Sequence, residues 1–115
     1  MDKIGHEAML FDFYGQLLTE KQIQILDMYV NNDFSLGEIA EELSISRQGV
    51  HDTVKRSVKA LEDYEERLGL VNRYMTQKTV LIEIKGKIEQ MKSGSRDGTS
   101  GSELDEIVQL VEKLL

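Results

Sequence analysis

The chain of 115 residues contains no cysteine, no proline and no tryptophan. Without cysteine there can be no disulfide framework, no thiolate nucleophile and no zinc-thiolate site, and the composition fits a reducing compartment. Without proline, the strongest helix breaker is missing, while Leu, Glu, Lys, Ile and Gln are abundant. We therefore expect an all-α fold.

Long apolar runs are also missing. The amino terminus has no hydrophobic stretch of signal-peptide length, and no segment approaches the roughly 20 apolar residues of a membrane span. We expect a soluble, cytoplasmic protein without membrane insertion.

The patterns that support catalysis or metal binding are absent too. His6 and His51 are the only histidines, and neither has a second metal ligand at credible spacing. Acidic clusters such as Glu41 and Glu42 are typical of solvated helix faces rather than of acid-base pairs. No glycine-rich phosphate loop follows a strand pattern. We expect no enzymatic activity, no metal and no cofactor.

The net charge of -7 is unevenly distributed. Lys and Arg exceed Asp and Glu only in residues 47–59, by three, and in residues 67–96, by five. Such alternation can focus an anionic partner onto one surface, although a net negative charge weakens nonspecific DNA binding. Alternating charge also simply solvates helices, and for residues 67–96 this interpretation is equally open.

Apolar spacing and capping patterns predict the first three helices. The first spans residues 3–18 and the second follows a capping box formed by Thr19 and Gln22. The third spans residues 36–43 behind a second box, Ser35 with Glu38. The first helix is expected to contribute an apolar face of Ala8, Met9, Phe11, Phe13, Tyr14, Leu17 and Leu18.

A helix-turn-helix is predicted where the third helix meets the fourth. This motif needs a small residue in its first helix, a short corner, and apolar anchors in its second helix. Ala40 is the small residue, 44–45 form the corner, and Val50 and Val54 are the anchors. The fourth helix starts behind Ser46 and ends at a glycine, Gly69, which suits a left-handed C-terminal position.

The remaining chain completes a fold class of a tri-helical helix-turn-helix core extended by long C-terminal helices. The expected parts are a core domain at 1–68, an extended helix at 69–92 that packs or dimerises, a flexible Gly/Ser linker at 93–102, and a docking helix at 103–115 capped by Ser102. The docking helix packs on its own chain or on a second one.

An apolar seam runs along the fourth helix at steps of three and four residues: Val50, Val54, Ser57, Leu61, Tyr64 and Leu68. This seam favours a homodimer, since helix-turn-helix proteins commonly pair to meet two half-sites. Packing against the helix at 69–92 is the alternative.

If Val50 and Val54 point inward, the fourth helix presents seven polar residues to a nucleic acid: Ser46, Arg47, Gln48, His51, Lys55, Arg56 and Lys59. Arg47 suits a guanine edge and Gln48 an adenine edge, while Ser46 at the helix start suits a phosphate. Lys55, Arg56 and Lys59 would contact the phosphate backbone. Asp52 lies on the same face and would repel phosphate.

Residues 18–22 (LTEKQ) and 35–50 (SLGEIAEELSISRQGV) resemble region 4 of bacterial sigma factors. Together with 51–56 (HDTVKR) and 61–65 (LEDYE), they resemble the YlxM family of helix-turn-helix proteins over nearly the whole chain up to the linker. The resemblance implies a Gram-positive-type cytoplasmic protein associated with the signal recognition particle pathway, which meets the particle's RNA or protein.

One residue departs from the usual corner. Ser44 occupies a position where glycine is commoner, and serine in left-handed geometry would carry a cost. The leading hypothesis is a nucleic-acid-binding accessory or regulatory protein whose partner is DNA or RNA. The alternatives are a protein–protein adaptor that keeps the sigma-like fold and a purely structural dimer.

Overall fold

The computed structural model describes residues 2–94 and 98–115, and these residues contain helices and turns but no strand. The all-α class is confirmed. The chain divides into two compact units, residues 1–71 and 72–115. In chain order the elements are α1 (Lys3–Tyr14), a 3₁₀ turn (Gly15–Leu17), α2 (Glu20–Val30), α3 (Leu36–Leu43), α4 (Arg47–Leu68), α5 (Leu70–Gly94) and α6 (Gly98–Glu112).

The starts of α2, α3 and α4 are set by the caps that the sequence predicts. Both capping boxes form, Thr19 with Gln22 on α2 and Ser35 with Glu38 on α3. These side chains accept hydrogen bonds from backbone N–H groups that have no partner within the helix. Gly69 ends α4 with φ at 64°, in the left-handed region that glycine tolerates.

The core of the first unit lies where α2, α3 and α4 meet. Ile25, Ile39, Ala40 and Val50 form its buried cluster. Partly buried side chains pack around that cluster: Met28, Tyr29, Phe34, Leu36, Leu43, Ile45 and Val54. The tri-helical helix-turn-helix core is therefore confirmed, and α1 packs along α4 beside it.

The α4 seam is filled within the first unit. Ser57 and Leu61 are fully buried, and Tyr64 stacks on Tyr14 of α1 with ring centroids 6.0 Å apart. Leu68, at the end of the seam, is 56% exposed. The seam is thus covered within the first unit, by α2 and α3 around Val50 and Val54 and by α1 at Tyr64.

Tyr14 also ties the end of α4 to the start of α5. Its hydroxyl donates to Glu65 Oε1 at 2.5 Å and accepts from the Leu70 N–H at 3.0 Å. Glu65 Oε1 accepts in turn from the Val71 N–H at 2.9 Å. Burial, followed by the hydrogen bond to Glu65, raises the pKa of Tyr14 above its usual value. The neutral phenol is therefore fixed at this junction.

The first helix is shorter than predicted. It ends at Tyr14, because Thr19 must be extended to cap α2 and the chain reaches it through the 3₁₀ turn. Leu17, expected on the apolar face, is 53% exposed, whereas Leu10 and Glu7, which were not expected there, are buried. The buried stripe is 7, 10 and 14, a spacing of three and four residues.

The second unit contains most of α5 together with α6. Ile88 of α5 and Val111 of α6 are buried in it. The last helix begins at Gly98, so Ser102 lies inside α6 instead of capping it. Of the linker predicted at 93–102, residues 93 and 94 belong to α5 and 95–97 lie outside the described residues. Among the helices described, none has the length and apolarity needed to cross a membrane.

Candidate nucleic-acid interface

The corner between α3 and α4 sets the direction of α4. Ser44 adopts left-handed geometry, with φ at 55° and ψ at 42°. Its N–H donates to the Glu41 carbonyl, and the Ile45 N–H donates to the Ala40 carbonyl at 3.1 Å. This pair of hydrogen bonds is the Schellman arrangement that closes a helix. Ile45 then packs on the core cluster, so the corner is fixed on both sides.

The apolar anchors face inward as the sequence predicts. Val50 is fully buried and Val54 packs against the core cluster. All seven candidate contact residues are exposed as a result: Ser46, Arg47, Gln48, His51, Lys55, Arg56 and Lys59. The structure therefore presents this set to solvent along the first four turns of α4.

Four of these residues form a basic row, defined here as Arg47, His51, Lys55 and Lys59. They recur every fourth residue, which aligns them along one side of α4 over about 18 Å at 1.5 Å per residue. Arg56 lies outside this row, on a neighbouring side of the helix. Basic side chains at this spacing can follow a phosphate backbone.

Two candidate residues already form hydrogen bonds within the chain. The Ser46 hydroxyl accepts from the Gly49 N–H at 2.9 Å and so caps α4. The Gln48 amide donates to Asp52 Oδ1 at 3.0 Å. This bond uses one of the two N–H groups of the Gln48 amide, so a two-bond contact with an adenine edge would compete with Asp52 for this side chain. Ser46 keeps its hydroxyl proton, which can still be donated to a phosphate oxygen.

Asp52 is the acidic residue within this face. Gln48 donates to it, and His51 Nδ1 lies 3.6 Å from the same carboxylate oxygen. At the far end of the row, Lys59 Nζ lies 3.7 Å from Asp63 Oδ1, and both side chains are largely exposed. Exposed ion pairs of this kind contribute little to stability, so a polyanion can displace them at small cost.

A groove of about 530 Å³ borders the basic row. Val54, Val58, Tyr29 and Leu36 line it together with charged residues of α1 and α4: Lys3, Glu7, His51, Lys55, Lys59 and Glu62. Lys3 therefore adds a cation to this side of the molecule. Sequence reasoning did not assign Lys3 or Glu7 a place here, because the first helix was considered only for its apolar residues.

Glu7 is the unusual member of the groove. It is buried, and its Oε2 has no hydrogen-bond partner. Burial raises the pKa of this carboxyl above 4.5, Lys3 opposes the rise, and Glu62 adds to it. The burial of Glu7 could have been predicted from its position, because it precedes Leu10 by three residues and Tyr14 by seven and so lies on the buried side of α1.

Two cations of the later basic segment have acidic partners in the second unit. Lys85 forms an ion pair with Glu112 at 3.0 Å, and Lys92 pairs with Asp105. The hydrogen bond and charge of Glu112 raise the pKa of Lys85. Lys78 lies 6.0 Å from the centre of the Tyr74 ring. These cations are less available to an external polyanion than those of the basic row.

Comparison with known proteins agrees with this geometry. A family model described as "Putative helix-turn-helix protein, YlxM / p13 like" (UPF0122) matches residues 1–99. A UPF0122 protein of Acetivibrio thermocellus is 46% identical over 115 residues, covering 100% of this chain and 98% of the relative. One from Thermoanaerobacter sp. strain X514 is 49% identical, covering 93% and 92%. The YofM protein of Lactococcus lactis is 42% identical, covering 98% and 96%.

Proposed function

The chain belongs to the UPF0122 family of helix-turn-helix proteins, and on this premise we propose that it binds nucleic acid through the exposed face of α4. The protein would act as a non-enzymatic accessory or regulatory factor in the cytoplasm. The basic row is the observation that supports this most strongly. It lies on the second helix of a helix-turn-helix, behind a closed corner, in a chain whose net charge is otherwise acidic.

The side chains of α4 suit different parts of the nucleic acid. Arg47, in the first turn, can donate two hydrogen bonds to a guanine edge. Lys55, Arg56 and Lys59 lie further along and would contact phosphates, which fixes position rather than sequence. The first turn of α4 also has free backbone N–H groups that favour an anion, and Ser46 stands beside them.

The test is a pair of double charge reversals with equal change in net charge. Arg47→Glu with Lys55→Glu should weaken binding to a mixed-sequence duplex by about a hundredfold and flatten its salt dependence. Lys21→Glu with Lys113→Glu, at exposed positions outside the helix-turn-helix, should change binding by only about twofold. Fluorescence anisotropy over a salt series measures both. Equal losses from the two double variants would contradict the assignment of α4.

Asp52→Asn should change the affinity in the opposite direction to the charge reversals. It removes the negative charge from the contact face while leaving an acceptor for the Gln48 amide. Binding should tighten by about two- to tenfold at low salt, since a repulsive charge near the phosphates is lost. Unchanged or weaker binding would mean that Asp52 does not face the nucleic acid.

The signal recognition particle enters this proposal through the family resemblance alone. The particle's RNA is accordingly the second probe beside duplex DNA, and its protein is the candidate if α4 serves as an adaptor surface. A pull-down from native cytoplasmic extract, with and without nuclease, separates these partners. A protein partner that is still recovered after nuclease treatment favours the adaptor. A partner that is recovered only without nuclease favours binding through DNA or RNA.

A further inference from the structure

The helices of the second unit run antiparallel. Lys85 pairs with Glu112 and Lys92 with Asp105, so the numbering rises along α5 while it falls along α6. Ile88 and Val111 are buried in this unit, and Leu81, Leu104 and Val108 are partly buried. Among the residues that the structure describes, the buried side chains of each helix lie along one side of it.

An uncovered apolar face remains on this helix pair. On α5 it consists of Val80, Ile84 and Met91, and on α6 and the turn after it of Ile107, Leu110 and Leu114. We call these six residues the apolar face; their side chains are 39% to 69% exposed. Steps of three, four and seven residues place each set along one helix side.

The two halves of the apolar face lie on the same side of the pair. Val80 of α5 and Leu114, just after α6, line one hollow of about 400 Å³ together with Thr76, Gln77 and Leu81. The hollow joins the two sets at one end of the helix pair, where Val80 meets Leu114. An apolar surface of this extent on a soluble protein marks an interaction site.

We propose that the apolar face binds the same face of a second copy of this chain, forming a four-helix bundle. A two-helix layer needs another layer to bury its exposed side, and a second copy supplies one of matching shape. A two-fold axis makes the contact self-complementary, because the same residues meet on both sides.

Charge favours a second copy over other occupants. Apart from the two ion pairs within the unit, α5 retains three Lys and Arg against two Glu, a net of +1, whereas residues 98–115 retain two Glu against one Lys, a net of -1. A two-fold arrangement can set α5 of one copy on α6 of the other, so opposite charges meet. An anionic lipid surface would be attracted by α5 but repelled by α6.

The sequence offered two places for a dimer, the α4 seam and the helix at 69–92, and this proposal uses the second. The homodimer was expected through the α4 seam, which is occupied by residues of its own unit. Pairing through the second unit would use no residue of the basic row and would supply two helix-turn-helix units per particle. The inference stands apart from nucleic-acid binding, since either can fail without the other.

The test measures the mass of the full chain by light scattering and by sedimentation over a hundredfold range of concentration. The wild-type chain should approach twice its mass of 13.1 kDa. Ile84→Glu with Leu110→Glu should raise the dimer Kd by at least about a hundredfold, because unpaired charges would be buried. Ile82→Glu is the matched control, since Ile82 is 52% exposed on the other side of α5 and should leave the dimer intact.

A labelling experiment avoids the risk that an acidic variant misfolds. The chain has no cysteine, so Ile84→Cys and Ile82→Cys each introduce one thiol. Alkylation at position 84 should slow as the concentration rises, while alkylation at position 82 should not change. A monomer at every concentration, a dimer broken equally by Ile82→Glu, or equal alkylation at both positions would overturn the proposal.

Discussion

Ser44 is the strained backbone residue of the corner that sets the direction of α4. A non-glycine residue in left-handed geometry costs roughly 1 to 2 kcal/mol. The Schellman hydrogen bonds and the packing of Ile45 offset this cost and keep Ser44 at φ 55°. The direction of α4, and with it the exposure of Arg47, therefore depends on a single strained residue.

Ser44→Gly should stabilise the protein by about 1 kcal/mol, because glycine adopts the left-handed region without a steric cost. The greater entropy of the unfolded glycine chain offsets part of this gain. The reciprocal change, Gly69→Ala at φ 64°, should destabilise by a similar amount. Urea unfolding measures both free energies. A destabilised Ser44→Gly would show that the serine side chain stabilises the corner in a way that the backbone does not reveal.

Glu7 is the second residue with a physical cost, because its carboxyl is buried and Oε2 lacks a partner. Since its folded-state pKa lies above 4.5, the stability it contributes is present below the unfolded pKa. That contribution is lost as the pH rises through the folded pKa. Near neutral pH the ionised carboxylate therefore destabilises the first unit.

Glu7→Gln should consequently raise stability by about 1 kcal/mol near neutral pH and have almost no effect below about pH 4. Thermal unfolding at the two pH values checks this, with Glu83→Gln as an exposed control that should show no such difference. A gain that is equal at both pH values would mean that ionisation of Glu7 is not the cause.

At the scale of elements, α4 organises the first unit, because α1, α2 and α3 all pack against it. Its buried side continues from the helix-turn-helix into Ser57 and Leu61, and the Tyr14 hydroxyl then fixes its end to the start of α5. One helix thus connects the corner, the contact surface and the link to the second unit. A substitution that removes contacts at the C-terminal end of α4 should lower the stability of the protein and leave the contact residues unchanged.

Tyr14→Phe should destabilise the protein by roughly 1 to 3 kcal/mol, because the Leu70 N–H loses its acceptor and Glu65 loses a donor. Tyr29→Phe is the control. The Tyr29 hydroxyl makes no hydrogen bond within the described part of the chain, so its loss should cost less than about 0.5 kcal/mol. Equal effects on the urea midpoint would assign the Tyr14 contribution to its ring alone.

Short-range sequence patterns predicted where α2, α3 and α4 are capped and where α4 ends. The two capping boxes, the Ser46 cap and the stop at Gly69 all depend on neighbours within a few residues, and all are confirmed. The exposure of the α4 contact residues followed from Val50 and Val54. Long-range partners were not predictable in this way. Nothing local to α4 shows that α1 covers the seam at Tyr64, or that Tyr14 reaches Glu65 across 51 positions.

At the scale of the whole molecule, the chain combines two compact units of different character. The first has a well-covered core and an exposed basic row, and the second has paired charges and an exposed apolar face. The net charge of -7 hides this division, because the acidic residues and the basic row occupy different segments. Contact with nucleic acid is therefore expected in the first unit and contact with a second copy in the second unit.

The most direct measurement is a nuclear magnetic resonance titration of the ¹⁵N-labelled full chain with a mixed-sequence duplex of about two helical turns and, separately, with the RNA of the signal recognition particle. The largest amide shifts should fall on residues 44–59 and should fade as salt is added, since phosphate contacts dominate. Shifts confined to residues 72–115, or no shift with either nucleic acid, would contradict the assignment of α4 as the contact surface.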